Sequence, residues 1–143
     1  MLTLQSLREN KDRVIQALSK RHVDASADID RILAWDKDRR QTQASLDDSL
    51  AKSNALSREI GGLMREGKKD AAEAVKGKTA ELKEQSSDLK NRMLELEASI
   101  HDLLCTIPNA PHSEVVAGKS AEDNVETARV GDIPKLHDGA VPH

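Results

Sequence analysis

The chain has 143 residues, the size of one domain, and its formal net charge at pH 7 is −3. Charged residues make up 33% of it, and Trp35 is the single aromatic side chain, since Phe and Tyr are absent. This composition excludes a large enzyme with its own deep pocket and an aromatic platform that stacks nucleic-acid bases, and the net charge argues against a uniformly basic nucleic-acid binder.

The first predicted element is a short helix. Apolar residues recur at mostly three- and four-residue spacing over residues 4–21, with Thr3 as the candidate N-cap and a candidate break near Asn10. A polar stretch follows before the next periodic run begins. Residues 1–28 are therefore predicted to form an N-terminal helical segment.

Two heptad runs follow, and both predict long helices. The run over residues 71–107 is regular, with eight of ten positions apolar: Val75, Thr79, Leu82, Ser86, Leu89, Met93, Leu96, Ile100, Leu103 and Ile107. The run over residues 29–64 is apolar at its ends and polar in places between: Ile29, Ile32, Asp36, Arg39, Gln43, Leu46, Leu50, Ser53, Ser57, Ile60 and Met64.

Residues 65–70, between the two runs, predict a turn. Gly67 is a helix-ending residue, and Asp70 and Glu73 have the spacing of a capping box for the second helix. The two runs are nearly equal in length, about 55 Å each at ~1.5 Å per residue. Residues 29–107 are thus predicted to be an antiparallel coiled-coil hairpin with its tip near 65–70, and pairing with another chain is the alternative.

The predicted hairpin ends at Pro108 and Pro111, which disfavour further helix. Glycines and prolines interrupt any period in the residues that follow, so residues 108–143 are expected to be an extended linker. The predicted fold class is therefore all-α: a long antiparallel two-helix coiled-coil hairpin with a short N-terminal helical segment at its base and an extended C-terminal linker.

A search for chemistry finds no catalytic constellation and no metal site. Cys105 is the single cysteine, which fits a reducing compartment, and its place between two seam positions predicts a buried structural thiol rather than a nucleophile. The five histidines show no close ligand spacing: His22, His101, His112, His137 and His143. No apolar run is long enough to span a bilayer, so we expect a soluble, cytoplasmic chain with no membrane partner.

Four short motifs around the predicted hairpin resemble one known family. They are, in chain order, Leu7-Arg8-Glu9-Asn10, Asn54-Ala55-Leu56-Ser57-Arg58-Glu59-Ile60-Gly61, Ile107-Pro108-Asn109-Ala110-Pro111-His112 and Glu122-Asp123-Asn124-Val125. Together they are similar to the N-terminal arm domain of bacterial-type seryl-tRNA synthetases, over essentially the whole chain. The sequence departs from that family at Val116 and Val130, where proline and tryptophan are common.

The resemblance implies an arm that projects from a class II catalytic domain and recognises serine tRNA by its long variable arm. It implies a parent homodimer, a serine–tRNA ligase that uses ATP and Mg²⁺ in a catalytic domain outside this chain. We therefore expect no cofactor in this chain, no aminoacylation by it alone, and no DNA partner. A coiled-coil interaction module without RNA preference is the alternative function, and a complete enzyme is a third hypothesis.

The distal half of the predicted hairpin is locally basic. Five basic residues against three acidic ones lie between Arg65 and Lys78, a balance of +2 in a chain of −3. Together with two basic residues that precede the tip, these five cations form a candidate stripe of contacts to RNA phosphates: Lys52, Arg58, Arg65, Lys68, Lys69, Lys76 and Lys78. The alternative is that these charges only solvate the coiled-coil surface.

Two further pairs have two interpretations each. Arg39 and Arg40 are a second candidate for RNA contact, but Arg39 falls on the heptad, where it is as readily explained by packing and pairing with an acidic neighbour. Gly61 and Gly62 lower helix propensity near the tip by roughly 1 kcal/mol each. They indicate either a flexible tip that adapts to RNA, or local fraying or a close helix approach.

Overall fold

The protein is described by a computed structural model that covers residues 2–132, 136–139 and 141. Within these residues there are three α-helices, no strand, and one short 3₁₀ turn, Ala121–Asp123. The helices are α1 (Leu4–Ser19), α2 (Ser26–Arg65) and α3 (Lys69–Thr106). α2 and α3 pack along each other as an antiparallel hairpin, and α1 packs against α2. The all-α hairpin predicted from the sequence is confirmed.

The seam of α3, the face that packs on α2, follows the predicted heptad throughout. Every predicted position from Val75 to Ile107 is buried or half-buried, and Ala72 extends the pattern by one step towards the tip. This regularity reflects the branched and long apolar side chains that recur at three- and four-residue steps.

The seam of α2 departs from the predicted heptad after Arg39. Thr42 and Ser49 are buried, whereas Leu50 is exposed. The same one-residue offset continues to the tip, where Leu56 and Leu63 are half-buried while Ser57 and Met64 are exposed. The spacing of Asp36, Arg39 and Thr42 contains two consecutive steps of three, which is a stammer that overwinds a coiled coil locally. The predicted positions Leu50, Ser57 and Met64 were therefore wrong by one residue.

The main apolar core lies at the base of the hairpin, where α1 meets both long helices. Thr3 caps α1, since its side-chain oxygen accepts the Ser6 N–H at 3.1 Å. The predicted break in α1 is confirmed, because Asn10 has non-helical φ and ψ of −135° and 36°. The buried apolar residues of this core are Leu2, Leu7, Val14, Leu18, Ala25, Ile29, Ile32, Ile100 and Ile107.

The tip reverses the chain through a Schellman motif at the end of α2. Gly67 has φ of +75°, the left-handed conformation that glycine adopts without a steric penalty. Its N–H donates to Met64 O at 3.3 Å, and the Lys68 N–H donates to Leu63 O at 3.0 Å. The predicted capping box at Asp70 is wrong, because α3 already begins at Lys69 and Asp70 lies within its first turn without a side-chain cap.

The segment after α3 runs back along the C-terminal end of α1. Lys20 Nζ donates to the carbonyls of Ser113 and Val115 at 2.7 and 2.9 Å, and the Gly118 N–H donates to Lys20 O at 3.1 Å. The first part of the predicted linker is thus tied to the base of the hairpin, while Pro142 and His143 at its end lie outside the described residues.

Asp123 closes a small loop in this segment. Its carboxylate accepts the backbone N–H groups of Lys119 and Ser120 at 2.7 and 3.1 Å, and these bonds hold the pKa of Asp123 below the ordinary aspartate value. A Cβ on Gly118 would lie 2.7 Å from the Cβ of Asp123, so the loop leaves no room for a side chain there.

Candidate nucleic-acid interface

All seven basic side chains predicted to contact RNA are exposed on the distal half of the hairpin. Lys52, Arg58 and Arg65 lie on α2, where Arg65 is the last helical residue. Lys68 lies in the turn, and Lys69, Lys76 and Lys78 lie on α3. The hairpin therefore presents positive charge on both sides of its chain reversal.

Three of the seven cations form ion pairs with carboxylates on their own helix or turn. The pairs are Lys52 with Asp48 at 2.6 Å, Lys68 with Glu66 at 2.8 Å, and Lys76 with Glu73 at 2.7 Å. Pairs this exposed contribute about 0–1 kcal/mol, so an incoming phosphate can compete for each lysine at little cost.

The other four cations make no ion pair with any residue in the described part of the chain. They are Arg58, Arg65, Lys69 and Lys78. Arg65 and Lys69 flank Gly67, so two unpaired positive charges lie at the end of the rod. Their electrostatic attraction is available to an anionic partner.

Three of the seven predicted cations flank two shallow grooves, one on each side of the seam: Lys52 and Lys78 at the first and Lys76 at the second. The other four line neither groove. The first groove, about 350 Å³, has an apolar floor that includes Leu56 and Leu82 and is flanked by Lys52 and Lys78. Glu81 also lines this groove, so its positive charge is partly offset.

The second groove, also about 350 Å³, lies between Ile60 and Ala80 and is flanked by Lys76 and Lys83. No carboxylate is among the described residues that line it. Sequence reasoning missed Lys83 because it lies beyond the tip segment, although its place seven residues after Lys76 puts both lysines on the same face of α3.

Arg39 and Arg40 pack at the base of the hairpin instead of joining the tip cations. Asp36 is completely buried, and Arg39 Nη2 lies 3.1 Å from its Oδ1. Arg40 Nε lies 3.2 Å from Oδ2, and Arg8 Nε on α1 lies 3.6 Å from the same oxygen. The expected pairing of Arg39 with an acidic neighbour is confirmed, and Arg8 is a partner that the heptad pattern did not reveal.

The predicted burial of Cys105 is wrong. The thiol is exposed, and its Sγ lies 3.7 Å from His101 Nε2 on the same helix face. Position 105 is five residues after Ile100, which turns its side chain about 140° away from the seam at 3.6 residues per turn. Within the described residues, no three His, Cys, Asp or Glu side chains converge in a way that suits a metal ion.

Gly61 and Gly62 both lie inside α2, and neither faces another part of the protein. A Cβ built on either residue meets no atom within 4 Å apart from its chain neighbours and the backbone of its own helix. A close helix approach therefore does not explain these two glycines.

Comparison with known proteins identifies the family. The sequence profile described as "Seryl-tRNA synthetase N-terminal domain" matches residues 1–111, more than three quarters of the chain. The chain belongs to this family. The resemblance carried by the four short motifs is thereby confirmed.

Relatives of this seryl-tRNA synthetase N-terminal domain match it over its full length. It is 36% identical over 143 residues to the serine–tRNA ligase of Salinibacter ruber and 40% identical over 146 residues to that of Synechococcus sp. (strain JA-3-3Ab). Each match covers 100% of this chain and 33% of the relative. The domain thus spans about a third of the length of these curated relatives.

A solved structure shares the fold. The seryl-tRNA synthetase from Pyrococcus horikoshii, determined in complex with ATP, superposes with a TM-score of 0.77 at 28% sequence identity. The match covers 87% of this chain and 28% of that protein.

No helix in the described part of the domain is long and apolar enough to cross a membrane. Val116 and Val130, the two departures from the family pattern, are both exposed in the segment after α3.

Proposed function

We propose that this domain is the tRNA-binding arm of a seryl-tRNA synthetase and that it recognises the long variable arm of serine tRNA. The observation that carries the proposal is the set of cations at the end of the hairpin, led by the unpaired Arg65 and Lys69. α2 has 40 residues, so these charges stand about 60 Å from the start of that helix at ~1.5 Å per residue.

A rod with cations suits the recognition of an RNA stem. The major groove of double-stranded RNA is too deep and narrow for side chains to read the base edges there, so proteins recognise such RNA mainly by shape and by contacts to phosphates and 2′-hydroxyls. The hairpin offers exposed lysines and arginines and needs no aromatic side chain near its tip. Lys83 joins the seven predicted residues in this proposal because it flanks a groove with Lys76.

The proposed parent is a class II serine–tRNA ligase that attaches serine to tRNA with ATP and Mg²⁺ in the cytoplasm, as a homodimer. In that parent, residues 1–28 form the base segment, 29–107 the arm and 108–143 the linker to the catalytic domain. We assign ATP and Mg²⁺ to the catalytic domain of that parent, as the family resemblance implies.

Binding of serine tRNA to the isolated chain tests the proposal. Fluorescence anisotropy is measured with serine tRNA and with the same tRNA whose variable arm is shortened, each at several salt concentrations. We expect tighter binding of the intact tRNA and an affinity that falls steeply with salt, because phosphate contacts release counterions. Equal affinity for the two RNAs contradicts variable-arm recognition.

A pair of double variants locates the contact. We expect Arg65→Gln with Lys69→Gln to weaken binding about tenfold and to lower the salt slope by about 1 for each lost contact. The matched control is Arg31→Gln with Lys90→Gln, which removes the same two residue types from exposed positions nearer the base. If both double variants bind alike, the tip is not the contact surface.

A further inference from the structure

The base of the hairpin carries a second cluster of cations that the proposed function does not use. Arg8 from α1 and Arg39 and Arg40 from α2 surround Asp36, which is completely buried. One carboxylate faces three guanidinium groups, so Asp36 alone does not neutralise all three positive charges. A purely structural clasp between α1 and α2 needs only one cation for this carboxylate.

Arg8 and Arg40 approach Asp36 with the inner edge of the guanidinium. Both Nε atoms lie near Asp36 Oδ2, at 3.6 and 3.2 Å, so the two groups are close neighbours. Each Nε also donates to a backbone carbonyl at 3.3 Å, that of Leu4 for Arg8 and that of Asp36 for Arg40. These contacts fix the two side chains from two different helices.

The outer ends of these two arginines remain available. Within the described residues, the terminal Nη atoms of Arg8 and Arg40 have no hydrogen-bond partner, and the side chains are 42% and 52% exposed. A planar guanidinium group can donate two parallel N–H hydrogen bonds to two oxygens of one phosphate. Arg39 is less suited, because it is only 26% exposed and lines a groove that also contains Glu97.

We propose that Arg8 and Arg40, held in place by Asp36, form a second phosphate-binding site that contacts the sugar–phosphate backbone of the RNA bound by the arm. The inference rests on the proposed function, since the same RNA molecule spans both sites. Arg40 and Arg65 are 25 residues apart on α2, which places the base site about 37 Å from the tip at ~1.5 Å per residue. The arm then holds its RNA at two separated points instead of one.

Arginine side-chain NMR on the wild-type chain tests this site without a risk of misfolding. The Nε–Hε signals of Arg8 and Arg40 are assigned with the single variants Arg8→Lys and Arg40→Lys, and serine tRNA is then added to saturation. We expect both signals to shift or broaden together with the Gly67 backbone amide at the tip. Arg129, which is paired with Glu126 through two hydrogen bonds, is the control that stays unchanged.

The outcomes separate the two proposals. A shift of Gly67 without any change at Arg8 and Arg40 overturns the base site and leaves the tip proposal intact. An absence of shifts at all three residues overturns both.

A binding measurement gives an independent check. The double variant Arg8→Gln with Arg40→Gln is expected to weaken tRNA binding about threefold to tenfold and to lower the slope of its salt dependence by about 1 to 2. Wild-type affinity in a folded double variant contradicts the inference.

Inorganic phosphate distinguishes an RNA contact from a site for a small anion. We expect millimolar phosphate to leave the Arg8 and Arg40 signals nearly unchanged at the salt concentration at which tRNA shifts them, because the RNA is also held at the tip. If phosphate alone saturates both signals at low concentration, the cluster is a small-anion site and the inference of an RNA contact fails.

Discussion

Asp36 occupies a seam position that an apolar residue fills elsewhere in the hairpin. Burying a carboxylate is costly unless cations and hydrogen bonds compensate it, and here Arg39 and Arg40 from the same helix do so together with Arg8. Its Oδ2 has two guanidinium neighbours and yet no well-aligned hydrogen bond. The compensation of that oxygen is therefore mainly Coulombic.

We expect Asp36→Asn to destabilise the domain by about 2 kcal/mol, because it leaves three guanidinium groups without their shared anion at a buried site. The control is Asp38→Asn, the same chemical change two residues on. Asp38 pairs with Arg92 across the hairpin at 2.8 Å, but both groups are well exposed, so we expect a clearly smaller loss of stability. Urea unfolding followed by circular dichroism measures both, and equal losses contradict the special role of Asp36.

Single residues also show where sequence reasoning succeeded and failed. The pairing of Arg39 was predictable because an acidic residue three positions earlier lies on the same helix face. The participation of Arg8 was not, because it depends on how α1 crosses α2. Cys105 was misplaced because proximity in sequence to two seam positions does not put a residue on the same face of a helix.

Among the elements, the turn between α2 and α3 has the strictest conformational demand. Gly67 adopts a left-handed φ, whereas Gly61 and Gly62 have helical conformations in open space. The three glycines near the tip thus have different roles, although the sequence presents them within seven residues.

We expect Gly67→Ala to destabilise the domain by about 1 kcal/mol, because a Cβ disfavours the left-handed conformation. Gly61→Ala is the matched control and is expected to stabilise by about 0.5–1 kcal/mol, since alanine is the better helix former and nothing obstructs its methyl group. Thermal melts of the two variants should shift in opposite directions. A shift of the same sign contradicts the roles assigned to these glycines.

The loop closed by Asp123 is expected to open in acid. Hydrogen bonds from the Lys119 and Ser120 amides lower the pKa of Asp123 in the folded chain, so their contribution is present above the ordinary aspartate pKa and is lost as the pH falls through the lowered value. Amide chemical shifts of Lys119 and Ser120 should titrate with a midpoint below the ordinary value. Asp123→Asn should abolish that titration, and a midpoint at or above the ordinary value contradicts the assignment.

The two long helices differ in how well their seams could be predicted. In α3, large apolar residues mark most seam positions, so the heptad fixes the register over the whole helix. In α2, the buried positions after Arg39 include Thr42, Ser49 and Ser53, which hydropathy does not distinguish from exposed residues. Within the stammer itself, Asp36–Thr42, no apolar residue marks the change of register.

For the candidate interface, the sequence identified the charge but not its arrangement. The excess of cations near the tip is a property of composition and was found directly. The placement of Lys52 and Lys78 at one groove and of Lys76 at the other depends on how α2 and α3 are rotated against each other, which no single-helix pattern encodes. Lys83 flanks the second groove because this rotation brings its face of α3 beside Ile60 of α2.

At the scale of the whole molecule, the domain is expected to be an elongated monomer. The seams of α2 and α3 bury each other, and the large exposed apolar side chains on the described hairpin are few and separated: Leu50, Met64 and Leu94. Sedimentation velocity should give the monomer mass with a high frictional ratio at up to about 100 µM. A dimer in that range supports the alternative of a coiled-coil module that pairs with another chain.

The burial along the hairpin is uneven, and this affects how the arm forms and opens. At the base, Ile29 and Ile32 pack near Ile100, whereas the buried seam residues closer to the tip are the small Ala72, Thr79 and Ser53. The entropic cost of bringing two residues together is lowest around the turn, where the partners are near in sequence. It is highest at the base, where the intervening chain is long. We therefore expect the tip to form early yet open most often, so that the end proposed to contact RNA exchanges its amide hydrogens fastest while the base of the hairpin exchanges most slowly.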